Sequence, residues 1–120
     1  MVYDRGMSGR VLRCPVDGPT VRTDQHAVDL VAEAISADAD WILLPVARLD
    51  DAFFDLKCGV AGAIVQKFVN YRLGLAIVGD IARHVEASSA LRAFVAESNR
   101  GTQLWFVDST DDFEARLASH

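Results

Sequence analysis

Three short, continuous runs of apolar residues constrain the fold of this chain most strongly. They are "WILLP" at 41–45, "LGLAIV" at 73–78 and "LWFV" at 104–107. Strands without apolar–polar alternation are typical of parallel sheets with helices on both faces. Helix-like segments separate the runs, so the pattern predicts β–α–β crossovers. "RVLRCPV" at 10–16 predicts a first strand, and 20–22 a short second one.

The intervening segments have the apolar spacing and the capping residues of helices. One face of the first helix would carry Ala27, Leu30, Val31, Ala34 and Ile35. Residues that cap helix starts occur at the expected places, namely Thr23 or Asp24, Ser88 or Ser89, and Ser109 with Asp112. Gly101 would end the third helix.

The predicted fold is one α/β domain over residues 10–120, preceded by a flexible tail at residues 1–9. Its element order is β-β-α-β-α-β-α-β-α. This order gives a mixed, mostly parallel sheet of four to five strands with about four helices. A chain of 120 residues is long enough to bury a core of its own.

Charge and hydropathy exclude several classes of partner. The net charge is −5, and the 12 basic residues form no block. Binding to nucleic acid or to an anionic membrane surface needs clustered Lys and Arg, so neither is expected. No apolar run approaches the roughly 20 residues that span a bilayer, and the first ten residues lack the apolar core of a secretory signal.

The two cysteines, Cys14 and Cys58, are far apart and have no metal-binding spacing. Without an export signal, they predict two reduced thiols in a cytoplasm. Ten arginines against two lysines, with many alanines, suggest a GC-rich bacterial genome.

Polar side chains follow the predicted strands at their carboxyl ends, where open parallel sheets usually bind ligands. We predict a ligand site at this edge, formed by Asp55, Lys57, Cys58, Gly59, Asp80 and Arg83. Lys57 and Arg83 would hold an anionic group.

No complete catalytic set occurs at this edge. Cys58 with His84 and Asp80 would form a Cys–His–Asp set, but the sequence does not fix their distances. Asp80 and Asp108 would need a third ligand to hold Mg²⁺. We therefore predict no catalytic residue, no metal site and no cofactor.

The stretch "GVAGAIVQKFVN" at 59–70 predicts a second helix that is apolar around most of its circumference. Its inward stripe would be Ala61, Ile64, Val65 and Phe68. We predict that the rest is an interface with a neighbouring helix or a second subunit, carrying Val60, Gln66, Lys67, Val69 and Asn70. Gly62 would let the helix pack closely on the sheet, and Gly74 would cap its C-terminus.

The phrases "FFDLKCGVAGAIVQKFVNYRLGLAIVGD", "LRAFVAESNRG" and "FVD" resemble a bacterial family known as domain of unknown function 4180. The family has no established activity. Its pattern usually has a hydroxyl residue at the position of Cys58 and a glutamate at that of Ala63. The resemblance therefore implies no essential chemistry at these two positions.

The element order also resembles the STAS fold of anti-sigma-factor antagonists. In that fold a Ser or Thr at the start of the second helix is phosphorylated. The equivalent place is near Cys58, which cannot accept phosphate by that chemistry, so the resemblance implies a binding module without this switch.

Two functions are consistent with these observations. The first is a non-catalytic regulatory or protein-interaction module that forms a homo-oligomer, a dimer being favoured, or binds another protein. The second is a domain that binds an anionic small molecule, or a small enzyme, at the carboxyl edge of the sheet.

Overall fold

The computed structural model describes residues 10–119, so the predicted tail at residues 1–9 lies outside the described residues. Four strands form one sheet: β1 (Val11–Arg13), β2 (Trp41–Pro45), β3 (Gly74–Val78) and β4 (Leu104–Val107). They lie side by side in chain order, and each neighbouring pair is parallel. The α/β prediction is confirmed. Within the described part of the chain the sheet is parallel throughout rather than mixed.

Helices follow the strands in the expected alternation. They are α1 (Asp24–Ser36), α2 (Val60–Asn70), α3 (Ala82–Ala87), α4 (Ser89–Arg100) and α5 (Thr110–Ala118). Three short 3₁₀ turns, Val46–Arg48, Asp51–Phe54 and Leu56–Cys58, join β2 to α2.

Hydroxyl side chains cap three of these helices, as the sequence predicts. In each case the hydroxyl oxygen accepts a hydrogen bond from a backbone N–H three residues later. The pairs are Thr23 with His26, Ser88 with Leu91, and Ser109 with Asp112. Ser88 is extended, and this residue separates α3 from α4. The sequence predicted only the second of these two helices.

One face of the sheet supports α1 to α4. Alternate strand residues such as Ile42, Leu44 and Ile77 pack against buried residues of these helices, including Leu30, Ile64, Phe68 and Leu91. Continuous apolar strands bury side chains on both faces. Here most of the helices cover one of those faces.

The opposite face is covered by α5. Phe113 of α5 is fully buried and packs with Trp41, Trp105 and Leu43. The ring centroids of Trp41 and Trp105 are 4.2 Å apart, and Phe113 meets both rings edge to face at 5.7 and 6.1 Å. Aromatic pairs at such distances stabilise beyond the area that they bury.

Two details of the local prediction are wrong. The short second strand contributes only an isolated bridge, Val21 to Leu49. Ile35 was expected to point inward but is 55% exposed. It lies about 100° around the helix from Ala34, which takes it beyond the buried face of α1.

The roles expected for two glycines are also wrong. Gly74 begins β3, and α2 ends before it at Asn70, with Tyr71 as the C-cap and Arg72 following with a positive φ of 58°. A Cβ at Gly74 would lie 2.4 Å from the Trp41 ring. The indole therefore leaves no room for a side chain at this position. Gly62 is exposed, and nothing lies within 4 Å of a Cβ placed there.

Alanine should therefore have opposite effects at these two positions. Gly62→Ala is expected to stabilise the protein by roughly 0.5 kcal/mol, because alanine loses less backbone entropy in a helix. Gly74→Ala should destabilise it by about 3 kcal/mol, because the Trp41 ring must move. Urea unfolding of the two variants measures both changes. Destabilisation by Gly62→Ala would contradict the exposed position of this residue.

Candidate functional site

The predicted ligand residues before α2 interact mainly with their own turn. Asp55 accepts the backbone N–H of Lys57 at 3.1 Å and the thiol of Cys58 at 3.4 Å. The hydrogen bond and the negative charge of Asp55 raise the pKa of the exposed Cys58 thiol. Gly59, with φ of 73°, links this turn to α2. The turn therefore disfavours a Cys58 thiolate.

The predicted residues after β3 have separate partners. Asp80 accepts the backbone N–H of Ala82 at 2.8 Å. Arg83 makes an exposed ion pair with Asp51 at 3.2 Å. The His84 ring stacks on Phe54 at 4.0 Å, and burial together with the charge of Arg83 lowers the pKa of His84.

These contacts do not assemble a Cys–His–Asp set. Cys58 bonds to Asp55, His84 stacks on Phe54, and Asp80 holds the start of α3. Residues 10–119 also contain no group of three His, Cys, Asp or Glu side chains placed to hold a metal ion.

The predicted interface residues of α2 lie beside α1 and near the core. Val60 and Val69 are half-buried, and so is Lys67. Gln66 Nε2 donates to Asn70 Oδ1 at 2.8 Å, so these two exposed amides are joined by one hydrogen bond. More apolar surface is exposed on α1, where Val28 is 39% exposed and Ile35 also points outward.

Asp80 lies in a cleft of about 520 Å³ between the carboxyl ends of β3 and β4. Asp108 and Asn99 also line it, as does Arg92, which donates to the Val85 carbonyl at 3.2 Å. Asn99 exchanges two hydrogen bonds with the backbone of Phe106, so its amide supports the end of β4.

A second cleft, of about 310 Å³, opens where β1 ends and α1 begins. We call it the Arg48 cleft. Its polar and titratable lining residues are Cys14, Thr20, His26, Asp29, Glu33 and Arg48, together with Arg13, which pairs with Glu114. They come from the end of β1, the following turn, α1 and the 3₁₀ turn after β2. This also places the cleft at the carboxyl edge of the sheet.

Arg48 is the most buried charged side chain of this cleft, at 6% exposed. Its Nε donates to the Pro19 carbonyl at 2.6 Å and its Nη1 to the Pro15 carbonyl at 2.9 Å. A Cβ at Gly18 would lie 2.5 Å from the guanidinium carbon, so a side chain at this position would have to displace the guanidinium of Arg48. Arg48 thus ties the turn at 15–19 to the rest of the fold.

No carboxylate balances Arg48 directly. Among residues 10–119, no Asp or Glu oxygen lies within 4.0 Å of its guanidinium, although five other arginines make such ion pairs. A guanidinium has five N–H donors, and the two proline carbonyls use two of them. The guanidinium also lies close enough to the Cys14 thiol to lower the pKa of that thiol.

Charges of both signs act on the Cys14 thiol. Burial raises the pKa of its thiol, the Arg48 guanidinium lowers it, and the Glu33 carboxylate raises it. His26 Nδ1 accepts the backbone N–H of Arg22 at 3.1 Å. A neutral His26 therefore carries its proton on Nε2, which adds a donor to the cleft wall.

Sequence reasoning missed this cleft. Arg48 lies in "VARLDD", which matches no binding motif, and its partners Pro15 and Pro19 are about thirty residues away. His26, Asp29 and Glu33 at helical spacing have the usual appearance of a solvated face. The one available signal was the position of Arg48 just after an apolar strand, where such sheets bind ligands.

The fold and this cleft define a small parallel α/β domain with a buried arginine at its carboxyl edge. The chain belongs to the family described as Domain of unknown function (DUF4180), whose model matches residues 7–117. The predicted family resemblance is confirmed. No curated protein and no solved structure matches the chain significantly. In the described part of the chain, every helix is too short or too polar to cross a membrane.

Proposed function

We propose that this protein is a non-catalytic binding module that holds the anionic group of a small molecule in the Arg48 cleft. One observation carries the proposal: a guanidinium that is 6% exposed lines an open cleft and has no carboxylate partner among residues 10–119. Burying a charge is costly unless it is paired. Two carbonyl dipoles compensate Arg48 in part, and an anion in the cleft would complete the compensation.

The proposal moves the predicted anion site along the same edge of the sheet. Lys57 and Arg83 were the expected cationic residues, but Arg83 is exposed and already paired with Asp51. A buried guanidinium binds an anion more strongly than an exposed one, because less water competes for it. Arg48 is therefore the better candidate.

The proposal can be tested by titrating the protein with sodium acetate and with inorganic phosphate at constant ionic strength. Backbone amide NMR monitors each titration. The amides of Cys14, Val21, His26 and Arg48 should shift in a saturable way. Arg48→Lys should weaken binding about tenfold, because lysine lacks the planar fork of donors. Arg83→Lys is the matched control and should bind as the wild type does.

Saturable shifts confined to the turn at 55–59 and to Arg83, or a loss of binding in Arg83→Lys alone, would contradict the proposal in favour of the originally predicted site. Unsaturable shifts spread over the surface would contradict both. The set of wild-type amides that shift identifies the binding site without any variant, so the test holds even if Arg48→Lys folds poorly.

Self-association is a second candidate property, favoured by the apolar residues exposed on α1. Val28 and Ile35 lie on one exposed flank of α1, and α1 packs beside α2, which has half-buried apolar residues of its own. Such a surface can pack on its own copy about a two-fold axis. We propose a homodimer that buries this flank.

Native mass spectrometry tests the dimer. The wild type should have twice the mass of the 13.1 kDa chain, and Ile35→Asp and Val69→Asp should have the monomer mass. Glu97→Ala, on the exposed face of α4, is the control and should stay dimeric. A monomeric wild type would exclude this property and leave the ligand proposal intact.

Two further observations bear on the type of fold and on the cellular compartment of the protein. The alternation of helices and strands from α1 onward supports a STAS-like arrangement as the structural context of a binding module, although only one of the two leading strands of that order is formed within residues 10–119. Two free cysteines in the described residues suit a reducing compartment, and we propose the cytoplasm of a bacterium.

A further inference from the structure

The Arg48 cleft is lined by charged residues of both signs, which come from different elements of the fold. Arg48 lies in the 3₁₀ turn after β2, whereas Asp29 and Glu33 lie one helical turn apart on α1. Asp29 Oδ1 already accepts from Gln25 at 3.0 Å. Glu33 has no side-chain hydrogen bond or ion pair with any other residue in the range 10–119. Its carboxylate is therefore available to a ligand.

Both charges also act on the thiol of Cys14. The positive charge of Arg48 lowers the pKa of this thiol, and the negative charge of Glu33 raises it. Arg48, Glu33 and Cys14 all line this one cleft, and Arg48 and Glu33 form no ion pair with each other.

The size of the cleft limits what can fill it. At about 310 Å³ it is at the lower end of the range for small-molecule sites, roughly 300–1,000 Å³. A ligand that reaches from Arg48 to Glu33 within this volume must be a small molecule with its two charged groups close together.

We infer that the ligand is a small zwitterion, with a carboxylate held by Arg48 and a protonated amine held by Glu33. This inference rests on the proposed function and adds the second charged group. A simple anion would leave Glu33 facing the bound negative charge, and like charges so close together weaken binding. An ammonium group on the same ligand removes this repulsion and adds an attraction.

Matched probes of increasing length test the inference by amide NMR at pH 7. The amino-carboxylates glycine, β-alanine, 4-aminobutyrate and 5-aminopentanoate are each compared with the unsubstituted carboxylate of the same chain length. At least one amino-carboxylate should bind about fivefold more tightly than its partner, the factor expected of a partly exposed ion pair. The dependence on length reports the distance between the two charged groups.

Glu33→Gln is the decisive variant, because Glu33 is exposed and its replacement should not disturb folding. The variant should bind the carboxylates at least as well as the wild type and lose the preference for amino-carboxylates. Glu86→Gln, which removes an exposed carboxylate outside the cleft, should keep the preference.

The outcomes separate this inference from the proposed function. If carboxylates bind at the cleft but no amine improves binding, the zwitterion is excluded and the anion site stands. If the preference persists in Glu33→Gln, the zwitterion assignment to Glu33 is wrong. If no carboxylate and no amino-carboxylate binds at the cleft, both proposals fail.

Discussion

Replacing Phe113 with alanine is expected to lower the free energy of unfolding by about 3–5 kcal/mol, the range for removing a buried aromatic ring. Phe113 is fully buried and contacts the rings of Trp41 and Trp105. Its helix, α5, covers the face of the sheet opposite α1 to α4. The cavity would therefore open beneath a helix that depends on this one ring for its deepest contact.

Urea unfolding monitored by tryptophan fluorescence measures this loss, since both tryptophans lie in the affected cluster. Phe94→Ala is a suitable comparison. Phe94 is half-buried on the other face, where its ring meets Phe106 at 6.1 Å. We expect a smaller loss there, of about 1–2 kcal/mol. Equal losses in the two variants would mean that α5 contributes no more than a surface contact.

Replacing Arg48 with methionine is expected to lower the free energy of unfolding by about 3–6 kcal/mol. Each hydrogen bond from a charged donor contributes about 1.5–3 kcal/mol, and Arg48 makes two, to Pro15 and Pro19. Methionine keeps the apolar stem but donates nothing. The turn at 15–19 should then detach from the 3₁₀ turn.

Hydrogen exchange together with urea unfolding measures this effect. The Val21 amide, which donates to the Arg48 carbonyl at 2.6 Å, should exchange faster in Arg48→Met. Arg100→Met is the matched control, because Arg100 is exposed and makes only a surface pair with Glu97. A surface pair contributes at most about 1 kcal/mol. Unchanged stability in Arg48→Met would show that water replaces the guanidinium at both carbonyls.

Structural and functional roles of Arg48 can be separated experimentally. If Arg48 only holds the turn in place, Arg48→Lys should be less stable, but its folded fraction should bind acetate or phosphate as the wild type does. If Arg48 also holds a ligand, the substitution should lower both the stability and the affinity.

Local structure was predictable because it depends on neighbours in the chain. Thr23, Ser88 and Ser109 cap their helices as their side-chain chemistry requires. The three apolar runs became β2, β3 and β4, since chains bury such runs on both faces. Errors arose where tertiary contacts decide, as at Gly74 beneath the Trp41 ring and at Ile35 beyond the edge of the core.

The candidate site shows the same division. The sequence indicated the carboxyl edge of the sheet, because parallel strands carry their ligand sites there. It could not indicate which loops converge at that edge. Asp55, Asp80 and Arg83 looked suitable, yet each one forms its contacts with a different neighbour.

By itself, the sequence determined the α/β class, the alternation of β2, β3 and β4 with helices and three capped helix starts, all of which follow from periodicity and local hydrogen bonding. Only the tertiary structure decided that Arg48 is buried, that the turn at 15–19 closes over it, and that Glu33 lines the same cleft. The cost of burying a charge depends on groups brought together from distant parts of the chain, and these contacts exist only after folding.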